Sequence, residues 1–362
     1  MKLANYLAVG ILALFVSGQV SAGPFDAKAV VERALEPTTA WQEPAPGPKA
    51  QRGKSVVYLA ATLRNGGILA VGEGMLEASD AIGWSLDIRD ARGDATAIDA
   101  ILAELAGAPP DALVVGGFDA AGHANGLKAL AELGTQIVAW HAGPAPGPVP
   151  GTPVSLNVTT DPLEVARVAA AYAIQITDGQ ARAVIFTDSR YGIALTKSAE
   201  MARIITSCGD CEVLEIVNMK LDETQQQMPD VIARLKDTYG ARWNVSLGIN
   251  DLYFDDAALP LVFAGVAPRG QIHNISAGAG SFTAYKRIRK DSFQTATVPE
   301  PLSYQGWQIV DELNRLFAGE PITGFVAPTK LVVPDNVDAE GGMQNIFDPE
   351  NGYRAAFSAS WN

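Results

Sequence analysis

A cysteine pair, a glycine-opened turn after an apolar run, and three scattered histidines are the residues of this 362-residue sequence whose types and spacing could do chemistry. Cys208 and Cys211, in SCGDC, have the two-residue spacing of a redox dithiol or of half a zinc site. A redox pair normally opens a helix. This one follows the helical pattern ALTKSAEMARIIT and precedes the strand-like EVLEIV, so a local structural disulfide is expected. Disulfide reductase activity would mark the redox alternative. Zinc needs four ligands, and His123, His141 and His273 supply neither a second half nor an HExxH pattern.

The glycine-opened turn is Asn65-Gly66-Gly67, between the run SVVYLAA and the segment ILAVGEGMLEASDA. A dinucleotide grip needs GxGxxG at the start of a helix, but Gly72 and Gly74 are followed by Glu77 and lie well inside the helical pattern. A nucleophile elbow needs GxSxG, and Asn274-Ile275-Ser276-Ala277-Gly278 lacks the first glycine. The sequence therefore predicts no catalytic residue, no metal and no cofactor. What remains is a helix amino terminus over Asn65 to Ile68, with free backbone donors at the carboxyl edge of a sheet, where a cleft holds a ligand. The alternative is local: Asn65 caps the helix and the glycines permit the turn.

The elements that must position these residues follow a clear rhythm. From Ser55, the runs SVVYLAA, WSLDI, DALVVGG and TQIVAW alternate with the helical segments ILAVGEGMLEASDA, ATAIDAILAELAG and HANGLKALAELG. After the Pro- and Gly-rich HAGPAPGPVPGTPVSLNVTTDP the alternation resumes through PLEVARVAAAYAIQI, ARAVIFT, EVLEIV, QQQMPDVIARLKDTYG, NVSLGI and GQIHNI. This predicts an α/β fold of two doubly wound parallel-sheet lobes with a cleft between them, and the length suits two cores of roughly 100 to 150 residues each.

Ahead of the lobes, Met1-Lys2, the apolar run Leu7 to Val16 and Val20-Ser21-Ala22 have the parts of a secretory signal spanning 1–22, cut after Ala22. The run is shorter than the about 20 residues of a membrane span, and no cysteine stands at the cut to take a lipid. The mature chain is expected to be soluble and periplasmic. Residues 23–54 form an extension, with the helical DAKAVVERALE, then Trp41 and a Pro-rich connector; it is expected to pack back on a lobe with Trp41 as its anchor. The tail from Pro334 carries Phe347, Tyr353, Phe357 and Trp361, too aromatic for a free end, and is expected to cover the second lobe or the hinge. A formal net charge of −13 argues against nucleic acid or anionic membrane as partners.

YLAATLRNGG, GEGMLEASDAIGWSLDIRDARGD, LVVGGFDA, IVAWHAG, SLGINDLYFDDAAL and GQIHNISAGAG, in this order over about residues 55–333, resemble the type I periplasmic binding proteins of bacterial ABC importers, in the ribose-binding-like branch. The resemblance implies a three-crossing hinge, with crossings near Asn157 to Asp161, Glu300 and Lys330. It divides the chain into a first lobe of 55–157 plus 301–329 and a second of 158–300 plus 330–362. Asn65 and Asn250-Asp251 match polar ligand positions. Gly67 and Ile68 stand where stacking aromatics would, His141-Ala142 stands for Asp-Arg after Trp140, Ser276 for Asp, and Glu300 for Gln.

The expected cleft lining is Asn65, Trp140, His141, Asp188, Ser189, Arg190, Tyr191, Asn250, Asp251, Tyr253, Ser276 and Glu300. Arg190 could clamp a carboxylate or vicinal hydroxyls, or sit in an interlobe ion pair. Asp251 could accept from hydroxyls or cap a helix, Tyr253 could pack a helix, and Trp140 could be wall. The resemblance implies a monomeric, non-enzymatic solute-binding protein that takes a small polar ligand, a sugar or polyol foremost, and passes it to an ABC permease without inserting in the membrane. The alternatives are a ligand sensor for a membrane kinase or chemoreceptor, and an aromatic or carboxylated solute. Asp255-Asp256 and the basic run Lys286 to Lys290 are expected to be solvated surface or permease-docking charge.

Overall fold

The computed structural model describes residues 25–37, 44–45 and 47–362. The signal segment 1–22 and Trp41 lie outside the described residues. The first element is helix α1 (Ala27–Leu35), capped by Asp26, whose carboxylate accepts from the Ala29 amide at 3.0 Å.

The first lobe is built on strands β1 (Ser55–Ala60), β2 (Ser85–Asp90), β3 (Ala112–Gly116), β4 (Gln136–Trp140) and β5 (Asn157–Val158), all parallel, in the order β2-β1-β3-β4-β5. Helices α2 (Gly66–Ile82), α3 (Ala95–Gly107) and α4 (Ala124–Glu132) make the crossovers. Val56 to Ala60 and all of β3 are buried, as expected where helices cover both faces of a parallel sheet.

Helix α5 (Pro162–Ile176) opens the second lobe, with Asp161 as its cap and proline in its first turn. Then follow β6 (Arg182–Thr187), α6 (Gly192–Ser207), β7 (Glu212–Asn218), α7 (Thr224–Tyr239), β8 (Val245–Gly248), α8 (Leu252–Phe263), β9 (His273–Ser276), α9 (Phe282–Arg289) and β10 (Ala296–Thr297). The second sheet is also parallel, in the order β10-β9-β8-β6-β7. Cys208 and Cys211 are joined as a disulfide in the turn between α6 and β7. Among the described residues no helix is long and apolar enough to cross a membrane.

Helix α10 (Leu302–Ala318) returns the chain to the first lobe and explains the GEG sequence of α2. A Cβ at Gly74 would fall 2.6 Å from the Ser303 carbonyl oxygen, and one at Gly306 would fall 2.6 Å from the Met75 amide nitrogen. The two helices therefore cross backbone to backbone, and these glycines serve packing.

The chain passes from β5 to α5, from β10 through Glu300 to α10, and from Ala327 in the first core to Leu331 in the second. Just after the last passage Thr297 and Val332 exchange backbone hydrogen bonds of 3.0 and 2.9 Å. The two ends of the chain add further passages. Val31 and Ala34 of α1 belong to the second-lobe core, and the Leu331 amide donates to the Ala34 carbonyl. Soon afterwards the Ala45 carbonyl accepts from Arg315 at 2.6 Å on the first lobe.

At the other end, helix α11 (Val337–Gly341) and Phe347 pack against Tyr285 and Ile288 of the second lobe, but helix α12 (Tyr353–Trp361) does not stay there. Tyr353, Phe357 and Trp361 sit four residues apart on one helical face, and that face buries in the first-lobe core against Tyr304 and Trp307 of α10. The assignment of all of 330–362 to the second lobe is thus corrected for its last helix. The basic run on α9 is also less solvated than expected: Arg287 reaches Asp255 and Gln294, and Arg289 reaches Asp338.

Candidate functional site

The carboxyl edges of the two sheets face each other across a cavity of about 150 Å³, a volume that elsewhere accommodates one six-membered ring. The first lobe lines it with Thr62, Arg64, Asn65, Ile68, Arg92, Gly93, Gly117, Trp140 and His141. The second lobe adds Arg190, Tyr191, Ile193, Ala194, Lys197, Leu221, Asp222, Ile249, Asn250, Leu252 and Ala279, and Glu300 comes from the hinge.

Glu300 is the centre of this arrangement. It is 1% exposed, and its Oε2 accepts from His141 Nε2 at 3.0 Å, the Thr160 amide at 3.2 Å and Gln305 Nε2 at 3.2 Å. Its Oε1 lies 3.7 Å from Lys197 Nζ, which also donates to the Ala277 carbonyl at 2.8 Å. Burial by itself raises the Glu300 pKa, but the adjoining His141, Lys197 and Gln305 together outweigh it and hold the carboxyl well below its ordinary range. Burial pushes His141 and Lys197 the other way, toward their neutral forms, with Glu300 opposing in both cases. The hydrogen bond requires the His141 proton on Nε2.

The His141 ring lies flat on Trp140, centroids 3.7 Å apart and 7° from parallel, and the indole Nε1 donates to Gln305 Oε1 at 2.7 Å. His141 has a left-handed backbone, φ 51°, which turns the chain sharply where β4 ends. Trp140 is therefore fixed wall, and His141 the polar group it supports.

Asn65 and Asn250 cap their own turns as well as lining the cavity. Asn65 Oδ1 accepts from the Gly67 and Ile68 amides at 2.9 and 3.4 Å, and Asn250 Oδ1 accepts from the Leu252 amide at 3.0 Å. In each case the amide nitrogen is left as the donor for a ligand. Tyr191 lies beside Arg190, whose guanidinium is 5.5 Å from the ring centroid.

Seven of the twelve expected positions thus line the cavity: Asn65, Trp140, His141, Arg190, Tyr191, Asn250 and Glu300. The other five do not, each for a definite reason. Asp188, 1% exposed, is the bidentate counter-ion of Arg190 at 3.0 and 2.7 Å and accepts from the Leu221 amide. Ser189 turns outward to Asn218. Asp251 is fully buried and caps the approach to α9, accepting from the Gly280 and Ser281 amides at 2.7 and 2.9 Å and from Gln294. Tyr253 is core, its hydroxyl donating to the Met219 carbonyl at 2.7 Å. Ser276 is buried and donates to the Gly278 carbonyl.

Arg190 is held by Asp188 and Asp222, both in its own lobe, so it is neither an interlobe pair nor a free clamp. Residue-by-residue reasoning missed Lys197. Its signal was a lysine three residues after Ala194 and four before Met201, inside a buried helical stripe. Arg64 and Arg92 were missed because each merely flanks an expected position or strand end.

The lobes meet over the cavity. Asp119 Oδ2 accepts from the Gly192 amide at 2.9 Å, and a Cβ on Gly67 would lie 3.1 Å from the Cβ of Ala279.

This architecture recurs in solved structures. An ABC transporter solute-binding protein from Agrobacterium vitis with bound allitol superposes with a TM-score of 0.69 at 17% identity, covering 80% of this chain and 98% of that one. A Caulobacter myo-inositol binding protein bound to myo-inositol has a TM-score of 0.69 at 16% identity, covering 80% and 97%. The arabinose ABC transporter binding protein of Shewanella sp. ANA-3, bound to arabinofuranose, has a TM-score of 0.69 at 14% identity, covering 84% and 98%. No curated protein matches the sequence. These likenesses establish the type I periplasmic binding fold. The family described as periplasmic binding protein domain matches residues 56–321, most of both lobes and the whole cavity, and to that family the chain belongs.

Proposed function

We propose that this chain is the exported solute-binding component of an ABC importer, which holds one sugar- or polyol-sized molecule between its lobes and delivers it to a membrane permease. The observation that carries this reading is the Glu300 cluster. A buried carboxylate at the hinge, with His141 from one lobe and Lys197 from the other, stands at the edge of a cavity of single-ring size. Asn65 and Asn250 face it from opposite sheets with amide donors. Such a ring of mixed donors and acceptors suits a ligand with several hydroxyls, each able to donate and accept. The polyols and sugars bound in the similar folds support the same class.

No covalent step follows from this arrangement. Closure brings Asn65 and Asn250 onto one ligand, so the ligand stabilises the closed form by as much as it binds that form better than the open one. The permease then acts on the closed shape, and the free energy of transport enters elsewhere.

A thermal-shift screen of the chain from residue 23 against hexoses, pentoses, inositols, linear polyols, aromatic acids and amines tests the reading. A ligand that binds only the folded state must raise the melting temperature. A sugar or polyol should do so at submillimolar concentration; a response confined to aromatic acids or amines would overturn it.

A further inference from the structure

The first-lobe wall of the cavity carries two guanidinium groups that have no counter-ion among the described residues. Arg64 and Arg92 both line it and both are exposed to it. Within the described residues, every other arginine except Arg33 and Arg52 is in an ion pair. In a chain of net charge −13, pairing is the rule, and two of its exceptions line the same cavity from the same lobe. The two acidic side chains nearest to Arg92 in sequence are engaged by their own turns: Asp90 Oδ1 accepts from the Leu63 and Arg92 amides at 3.2 and 2.9 Å, and Asp94 Oδ1 accepts from the Thr96 amide and hydroxyl, both at 2.8 Å. Of the two carboxylates that line the cavity, Glu300 is committed to His141 and Lys197, and Asp222 to Arg190.

From this imbalance we infer that the ligand is an acidic polyol, a single-ring or linear polyhydroxy compound whose anionic group, carboxylate or phosphate, is held by Arg64 and Arg92. This rests on the polyol reading above and narrows it. Planar guanidinium forks match both anions with paired N–H donors, and the partly enclosed mouth strengthens that contact relative to bulk water. The hydroxyl end would then lie inward, toward His141, Asn65 and Asn250. Arg190 is less suited to the anion, because Asp188 and Asp222 already neutralise it and occupy its Nε and Nη2, leaving only Nη1 for a ligand.

The test is calorimetric titration of the chain from residue 23 with D-gluconate, D-glucuronate and D-glucose 6-phosphate, beside the neutral D-glucitol and D-glucose. An acidic member should bind at least tenfold tighter than its neutral counterpart at low salt, and the advantage should shrink as salt rises, since exposed charges are screened. Whether gluconate and glucuronate or the phosphate ester leads will tell the carboxylate from the phosphate. In an R64Q/R92Q double variant the acidic ligand should lose at least tenfold, more than the neutral one loses.

Neutral members binding as tightly as acidic ones, or equal losses in the double variant, would overturn the inference and leave the polyol reading standing. Binding of benzoate in place of every polyhydroxy compound would overturn the polyol reading itself. No binding by any of them would overturn both.

Discussion

Asp119 of the first lobe accepts a hydrogen bond from the Gly192 amide of the second, 2.9 Å across the cleft, and so caps a helix that has no cap of its own. Tyr191, at the N-cap position of α6, offers no side-chain hydrogen bond to that turn. The free donors at the start of α6 are therefore partly satisfied only when the lobes meet. An alanine in place of a capping Asp costs about 0.5 to 2 kcal/mol. Asp119→Ala should accordingly weaken ligand affinity by roughly 2- to 30-fold at about 1.4 kcal/mol per decade.

The charge of Asp119 works against closure even though its oxygen supports it. Burial pushes the carboxyl pKa up, and the Gly192 amide only partly offsets this. A carboxyl with a raised value in the closed form takes up a proton as the lobes shut. Its contribution to closure is full below the ordinary carboxylate range and is lost as pH rises through the raised value. Asp119→Asn keeps an acceptor without the charge, so it should bind ligand at least as tightly as the parent and flatten this pH dependence. Titration calorimetry across the acidic range checks both; equal losses for Ala and Asn would refute the capping argument.

Glu300 has the opposite linkage. Burial raises its pKa, but His141, Lys197 and Gln305 overrule it and leave the carboxyl depressed below its reference value of 4.5. Its stabilisation is complete above that reference value and disappears as pH falls beneath it. Glu300→Gln strands Lys197 buried without a counter-charge, and breaking a buried pair in this way costs about 3 to 5 kcal/mol. The variant should melt well below the parent at neutral pH, and the gap should narrow in acid. A parallel pair of melting curves from neutral to acidic pH would show that Glu300 is not ionised in the folded protein.

Gly67 and Ala279 are the small residues that let the lobes approach. A Cβ at Gly67 lies 3.1 Å from Ala279 Cβ and 3.3 Å from the Trp140 ring, so an alanine would force a slight adjustment and a leucine has no room in the closed form. Gly67→Leu should act as a wedge, lowering ligand affinity more than tenfold, about 1.4 kcal/mol or more. Because the Asn65 cap oxygen and the Trp140 ring of the same lobe also lie 3.3 Å away, the free protein should lose some melting temperature as well, and affinity is compared under conditions where the variant is fully folded. Small-angle scattering should report an open form that ligand no longer compacts. Compaction equal to the parent's would mean that the contact does not limit closure.

Much of this organisation is legible in the sequence. The alternation from Ser55 onward specified two parallel sheets because a strand buried on both faces is a continuous apolar run, and its crossover helix keeps a 3.6-residue period. Asn65, Trp140, His141 and Asn250 could be placed because each stands at or just past a strand's carboxyl end. The failures have a common cause. Asp188, Ser189, Asp251, Tyr253 and Ser276 occupy the same kind of position, but a one-residue step turns a side chain from the cleft into the core or toward solvent. Sequence carries no mark of which carboxylate serves a neighbouring arginine and which serves a helix amino terminus. Lys197 was obscured for a different reason: it enters from the side of α6, and only the three-dimensional meeting of that helix with the hinge brings it to Glu300.

The last helix shows how a local pattern can be plain while its destination is not. Tyr353, Phe357 and Trp361 form an aromatic face at four-residue spacing, yet two lobes were available to receive it. The receiving surface is α10, where Trp361 stacks on Trp307 with centroids 5.4 Å apart and planes 4° from parallel. The Trp361 indole also donates to Asp311 Oδ1 at 2.9 Å, its carbonyl accepts from the Ala50 amide at 3.0 Å, and Arg354 pairs with Glu77. Asp311 is almost wholly buried, with Arg315 as its other partner, so removing the indole leaves a polar atom short of a donor as well as a void. Trp361→Ala should cost about 3 to 5 kcal/mol, as for other buried tryptophans. Trp361→Phe, which retains the stacking but loses the hydrogen bond, should cost less than half of that. Chemical denaturation of the two variants beside the parent separates packing from hydrogen bonding. A parent-like midpoint for Trp361→Ala would mean that α12 does not hold the first lobe together.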